Sequence, residues 1–271
     1  MSFSNRLNDM MVNALSVGGH DSSVAAGRKE GWEIVQKFGG GIVQTTERTI
    51  WDNMAAADYP YKYTNSVMTG VSDDPLDTGQ TIRVNYIELD GSDWVYKKGV
   101  MVTDGTTPVT IQEANDNWVS LETDANIMFP FRIINIGTGQ GTGSMIGTFD
   151  VKTGATIYGQ INNGFNQSLM AIFPVASGHS AFIHSIGRSV IGAAKATTFT
   201  YAAIPFGQVR QAKRVAGLSS NSEYEVFDLP YFFPEKTILE VRCKIDVSTA
   251  QVNAWFDLFV VENEKLLGDD I

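Results

Sequence analysis

Two stretches near the C-terminal end decide the fold: Leu239-Glu-Val-Arg-Cys-Lys-Ile-Asp-Val247 and Val252-Asn-Ala-Trp-Phe-Asp-Leu-Phe-Val-Val261. In the first, Leu239, Val241, Cys243, Ile245 and Val247 share one face, and Glu240, Arg242, Lys244 and Asp246 share the other. Successive side chains of a strand point to opposite faces, so this reads as a strand with one dry and one wet side. In the second, Val252, Ala254, Phe256, Leu258 and Val260 form one face while Trp255, Phe259 and Val261 sit opposite, so both sides are covered. Working back along the chain, Ile82, Val84 and Tyr86 alternate with Arg83 and Asn85 ahead of an Asp90-Gly91 turn. Val95 to Val102 is the next strand, closed by Asp104-Gly105, and Ile127 to Ile136 is apolar almost throughout. Shorter strands are expected at 145–151, 155–161, 167–175 and 180–186, with turns at Asn162-Asn163-Gly164 and Ser177-Gly178. Short strands with regular turn signals and no alternation with helices predict a mainly β protein, an antiparallel β-sandwich of jelly-roll-like character.

The N-terminal end reads differently. Leu7, Met10, Met11 and Leu15 fall on one helical face, Ser4 stands where a cap belongs, and Gly18-Gly19 stops the run. A helix this short is marginal alone and must dock on its own domain or on another chain. A second short helix is expected over 28–37, with Trp32, Val35 and Gln36 on one side, followed by a hinge at Gly39-Gly40-Gly41. The expected organisation is an arm over 1–57 with one or two short helices, a sandwich over 58–264 and an acidic tail over 265–271.

The 271 residues are 43% hydrophobic and only 18% charged, which is no composition for a disordered chain. No run approaches the roughly 20 apolar residues of a membrane-spanning helix, and the N-terminus lacks the basic-then-apolar order of a signal peptide. A single cysteine, Cys243, makes no intrachain disulfide. The net charge of −10 opposes nucleic-acid binding through the overall field. That charge is unevenly spread: from Val151 to Ser222 there is no carboxylate, while Arg188, Lys195, Arg210, Lys213 and Arg214 are all present. The stretch reads either as buried strand with a few solvated cations or as a basic surface that meets an acidic one on a neighbouring copy, fixing orientation and register.

Catalytic patterns are lacking. His179 and His184 are an odd number of residues apart, so an unbroken strand points them to opposite faces. Asp73, Asp74 and Asp77 form an acidic turn whose oxygens suit either calcium or plain solvation. The glycine-rich loop at 137–144 has no lysine of a phosphate-binding loop and leads into strand-like sequence. The expectation is a protein with no catalytic residue, no cofactor and no metal.

Several segments in order resemble a family of structural proteins encoded by tailed bacteriophages common in aquatic habitats. They are Val35-Gln-Lys-Phe-Gly39, Thr49-Ile-Trp-Asp52, Val71-Ser-Asp-Asp74, the strand Thr81 to Gly91, and Gly99-Val-Met-Val-Thr-Asp-Gly-Thr-Thr-Pro-Val109. Gly164 to Gly178 and Glu235 to Arg242 complete the likeness, which spans roughly 35–262. This chain departs from the family by placing Lys97-Lys98 ahead of the Gly-Thr-Thr-Pro turn. The resemblance implies a non-enzymatic virion component of the head, neck or collar, or tail, made in the host cytoplasm. Its implied partners are copies of itself and other virion proteins, with no sequence-specific nucleic acid and no membrane. Expected contacts between copies are Leu7, Met10, Met11 and Leu15 on the arm, with Arg188, Lys195, Arg210, Lys213 and Arg214 on the basic stretch. The alternative is a tail fibre or spike module binding host glycans through Tyr59, Tyr61 and Tyr63, or through Tyr231, Phe232 and Phe233.

Overall fold

The computed structural model describes residues 31–137, 144–191, 196–218, 221–246 and 249–266. The expected helix over 4–17 lies outside these residues. The strands, in chain order, are β1 (Trp32–Val43), β2 (Arg48–Thr49), β3 (Thr69–Ser72), β4 (Thr78–Asp90), β5 (Asp93–Asp104), β6 (Val109–Thr110), β7 (Gln112–Ala114), β8 (Ser120–Thr123) and β9 (Ile127–Asn135). They continue with β10 (Phe149–Thr153), β11 (Thr156–Ile161), β12 (Ile172–Val175), β13 (His179–Ile191), β14 (Thr197–Pro205), β15 (Gln211–Leu218), β16 (Asn221–Phe233), β17 (Thr237–Ile245) and β18 (Ala250–Glu262). A four-residue helix, α1 (Asn263–Leu266), follows.

Eight strands form two four-stranded antiparallel sheets in the orders β1-β18-β13-β16 and β12-β17-β14-β15, with β2 added against β17. Going along the chain from β12, every connection crosses from one sheet to the other except the β14–β15 hairpin. Two four-stranded sheets linked in this way are a jelly roll. Its core is made by the faces read from sequence: Val252, Ala254, Phe256, Leu258 and Val260 from one sheet, and Leu239, Val241, Cys243 and Ile245 from the other, are all buried. Cys243 is fully buried and burial pushes its thiol pKa well up, the setting of an inert thiol.

Everything from β2 to β11 is inserted between β1 and β12; β2 joins β17, and β3 to β11 fold as two further sheets, β8-β7-β5-β4-β9 and β11-β10-β3-β6. These pack face to face closely enough that a Cβ on Gly70 of β3 would lie 2.3 Å from Met101 Sδ of β5. The expected single sandwich over 58–264 is therefore two sandwiches sharing one continuous core. The insertion leaves from one edge strand and returns to another at the same end of the jelly roll, and it caps that end. Tyr96 Oη donates to Pro174 O (2.8 Å), and Trp94 and Ser177 exchange hydrogen bonds at 2.9 Å.

Three expectations are corrected here. The expected helix over 28–37 is a strand from Trp32 onward, paired residue for residue with β18 from Trp32↔Val261 to Val43↔Ala250. Gly39–Gly41 is no hinge but the part of that strand where Ala171 and Ile50 come too close for a side chain. The described β framework accordingly begins ahead of residue 58. The wet face of Leu239–Val247 is only half wet: Lys244 is exposed, but Glu240 and Arg242 are 2% and 5% exposed. The inserted segment 47–61 covers them. Glu240 accepts from Thr49 Oγ1 (2.6 Å), Tyr61 Oη and Arg210 Nε, and Arg242 donates to Thr49, Glu47 O and both oxygens of Asp58.

The acidic turn resolves the same way. Asp77 is fully buried, with its oxygens taken by Ser72 Oγ (2.6 Å), Gln80 Nε2 (3.0 Å) and the N–H groups of Ile146 (2.8 Å) and Gly147 (2.9 Å). It is a brace for the chain entering β10, neither a solvated turn nor an open ligand set.

Asp52 accepts from Leu169 N–H (2.6 Å) and Asn162 Nδ2 (3.2 Å), tying the start of the insertion to its end. Burial pushes its carboxyl up to about 8, against the pull of the Leu169 N–H. A raised carboxyl binds its proton more tightly folded than unfolded, so its contribution is full below the ordinary carboxylate range and is lost as pH rises through about 8. Urea midpoints measured from pH 5 to 9 are expected to fall more steeply in the wild type than in Asp52→Asn. Parallel curves would show that Asp52 does not titrate in that range.

Candidate assembly surface

With one end of the jelly roll capped by the insertion, the other end is left to β15 and β16, the outermost strands of the two sheets. Among the described residues each pairs on one side only, β15 with β14 and β16 with β13. Strand edges of this kind carry unpaired backbone groups, and proteins guard them with charge or cover them with a partner. Both devices have their residues here. Leu229 (68% exposed), Val215, Tyr224 and Val226 stand out of these strands, with charged side chains between them. A concentration of exposed large apolar side chains on a soluble protein marks a contact surface.

The charge at this end is split by strand. β15 carries Lys213 and Arg214, and β16 carries Glu223, Glu225 and Asp228. Arg214 donates to both oxygens of Glu225 (2.8 and 3.0 Å), which holds the two strands together across the gap between the sheets. Lys213 is exposed, and its Nζ donates to Gln211 Oε1 (2.7 Å). A cationic strand beside an anionic one is self-complementary: a second copy can set its β16 carboxylates against Lys213.

The residues expected to touch neighbours are scattered by the fold. Arg214 stands at the open end, already in an ion pair with Glu225, while Arg210 turns to Glu240 beside the inserted segment. Arg188 is 3% exposed and points inward, with Nη2 on Glu223 and with Nε and Nη1 unpaired. Leu7, Met10, Met11, Leu15 and Lys195 lie outside the described residues. Of the carboxylate-free stretch, β13 and β14 are mostly buried, as the first reading has it, while β15 is an exposed strand that carries Lys213 and Arg214. Tyr224, Val226 and Leu229 went unnoticed in the sequence because Glu223-Tyr-Glu-Val226 alternates like any half-buried strand.

The aromatic platforms of the glycan reading are corrected. Tyr59 is 4% exposed, and Tyr61 gives its hydroxyl to Glu240. Tyr63 alone of the three is exposed, with its ring stacked at 6.4 Å on Trp94. Phe233 is buried and Phe232 packs on Phe182, which leaves Tyr231 at the surface, edge-on to Phe227 at 4.8 Å. Among the described residues no group of three or more His, Cys, Asp or Glu is arranged to hold a metal, and no helix is long and apolar enough to cross a membrane.

No protein-family model matches the chain, and no curated protein matches it. Among solved structures it is similar to one of infectious bursal disease virus, Gt strain, at 11% identity over 87% of this chain and 74% of that one, with a TM-score of 0.25. It is similar also to the VP2 subviral particle of infectious bursal disease virus, at 11% identity over 95% of this chain and 79% of that one, with a TM-score of 0.22. At scores this low the likeness carries no weight for fold or function.

Proposed function

We propose that this chain is a non-enzymatic structural protein of a virus particle, of the tailed-phage kind its sequence resembles, and that copies of it assemble through the open β15–β16 end of the jelly roll. The observation that carries the reading is that end itself: two strand edges with no partner strand among the described residues, exposed Val215 and Leu229, and a cationic strand beside an anionic one. The fold alone assigns no function, and jelly rolls serve capsids, lectins and enzymes alike. A homo-oligomer is the form in which a self-complementary surface is satisfied. The arm with Leu7, Met10, Met11 and Leu15 is a second contact between copies in this reading, and the place in the particle is the head, neck or collar, or tail.

Light scattering is expected to give a multiple of the 29.6 kDa chain mass for the wild type. Val215→Asp with Leu229→Asp, both at exposed positions, is expected to give the folded single chain. Removing residues 1–30, which leaves β1 whole, is expected to weaken assembly, and more so at high salt, where charge pairing is screened. A wild type that stays a single chain at all concentrations, or a double variant that keeps the full oligomer, would sink the reading. Mass spectrometry of purified particles then locates the protein in the virion or excludes it.

A further inference from the structure

At the seam between the jelly roll and the inserted sandwich lies a cavity of about 270 Å³, walled by β1, β4, β5, β9 and β12. One wall is aromatic: the rings of Tyr96, Phe131 and Phe173 stand 5.7–6.1 Å apart. The other is cationic. Lys37, on the inward face of β1, is 5% exposed, and its ammonium donates to the carbonyl of Phe131 and sits 5.7 Å from that ring. An ammonium carries three N–H donors, and the Phe131 carbonyl is its one hydrogen-bond acceptor among the described residues. Arg132 of β9 lines the same space and has no ion-pair partner among the described residues. Lys97 and Lys98 line it too, but are held by Glu88 and Glu113 and by Asp116.

The balance of charge is the informative point. The groups that line the cavity with Lys37 are Glu33 on its own strand, Tyr96, Lys97 and Lys98 on β5, and Arg132 on β9. Glu33, the one carboxylate among the described residues of the lining, is exposed. Burial, with the neighbouring Arg132 charge, pushes the Lys37 ammonium down to about 7. Two cations repelling each other beside a polar cavity are a setting that a negative group relieves.

We infer that this cavity is a binding site for a small oxyanion, a carboxylate or phosphate group on a molecule no larger than a sugar acid, held by Lys37 and Arg132 with its body against Tyr96 and Phe131. Charge-assisted hydrogen bonds from two cations supply the affinity, and the aromatic wall accepts an apolar ring face. The site is separate from the open β15–β16 end, so it stands or falls independently of assembly.

The test is thermal unfolding of the full chain with inorganic phosphate, glucuronate or glucose. Both anions are expected to raise Tm saturably, and glucose not at all. Response to phosphate without glucuronate would narrow the ligand to phosphate groups; response to both admits sugar carboxylates. Binding is expected to be stronger at pH 6 than at pH 8.5, because Lys37 must carry its proton. Lys37→Met is expected to weaken binding at least about tenfold, the loss of one hydrogen bond to a charged group. Should Lys37→Met fail to fold, Arg132→Gln, at an exposed position, is expected to weaken it by a similar factor. No saturable rise with either anion, an equal rise with glucose, or unchanged anion binding in Arg132→Gln would overturn the inference.

Discussion

Arg242→Met is expected to destabilise the protein by about 3–5 kcal/mol, the usual cost of breaking a buried ion pair by removing one partner. The side chain is 6% exposed, and its guanidinium holds the segment 47–58 onto β17 through Thr49 (3.0 Å), Glu47 O (2.9 Å) and Asp58 (2.9 and 3.1 Å). Its loss leaves Glu240, with a side chain wholly shut off from water, dependent on Arg210 from one side. Glu240→Leu with Arg242→Met removes both charges, so the double variant is expected to lose less than the sum of the two single losses. Urea unfolding of the two single variants and the double one measures this. Strictly additive losses would show that the two charges do not stabilise each other.

Gly39→Ala is expected to cost about 3 kcal/mol or more, and Gly39→Val to prevent recovery of soluble protein. A Cβ at this position would lie 2.3 Å from Ala171 N, 2.7 Å from Ala171 Cβ and 2.9 Å from Ile50 O. Two of those atoms are backbone, and they are bonded to each other: Ala171 N–H donates to Ile50 O at 3.0 Å, while Val241 N–H donates to Ala171 O at 3.0 Å. Nothing there yields like a flexible side chain, so the strain passes into the join between jelly roll and insertion. The control is Gly217→Ala on β15, where a Cβ meets nothing within 4 Å and the effect is expected to stay within about 0.5 kcal/mol. Equal stability of the two variants would mean that the join is loose enough to part.

The sequence by itself determined several of the strands and which of their residues share a face. Ile82, Val84 and Tyr86 are all fully buried on β4, and Asp90-Gly91 and Asp104-Gly105 are turns with glycine at positive φ, because alternation and turn chemistry are local properties of the chain. What covers a face is not local. Glu240 and Arg242 alternate with the core like solvated residues, and they are dry because a segment nearly two hundred residues away in the chain folds over them. Trp32, Val35 and Gln36 suit one helical face, but the partner strand β18, more than two hundred residues on, draws 32–43 into a sheet. Three glycines in a row read as a hinge, yet close approach of Ile50 and Ala171 is what asks for Gly39. Strand order, the capping of one jelly-roll end by the insertion, the cavity beside Lys37 and the exposed end at β15 and β16 all come from contacts between distant segments. Period and composition record only the side on which a residue lies, and tertiary structure alone decided what meets it there.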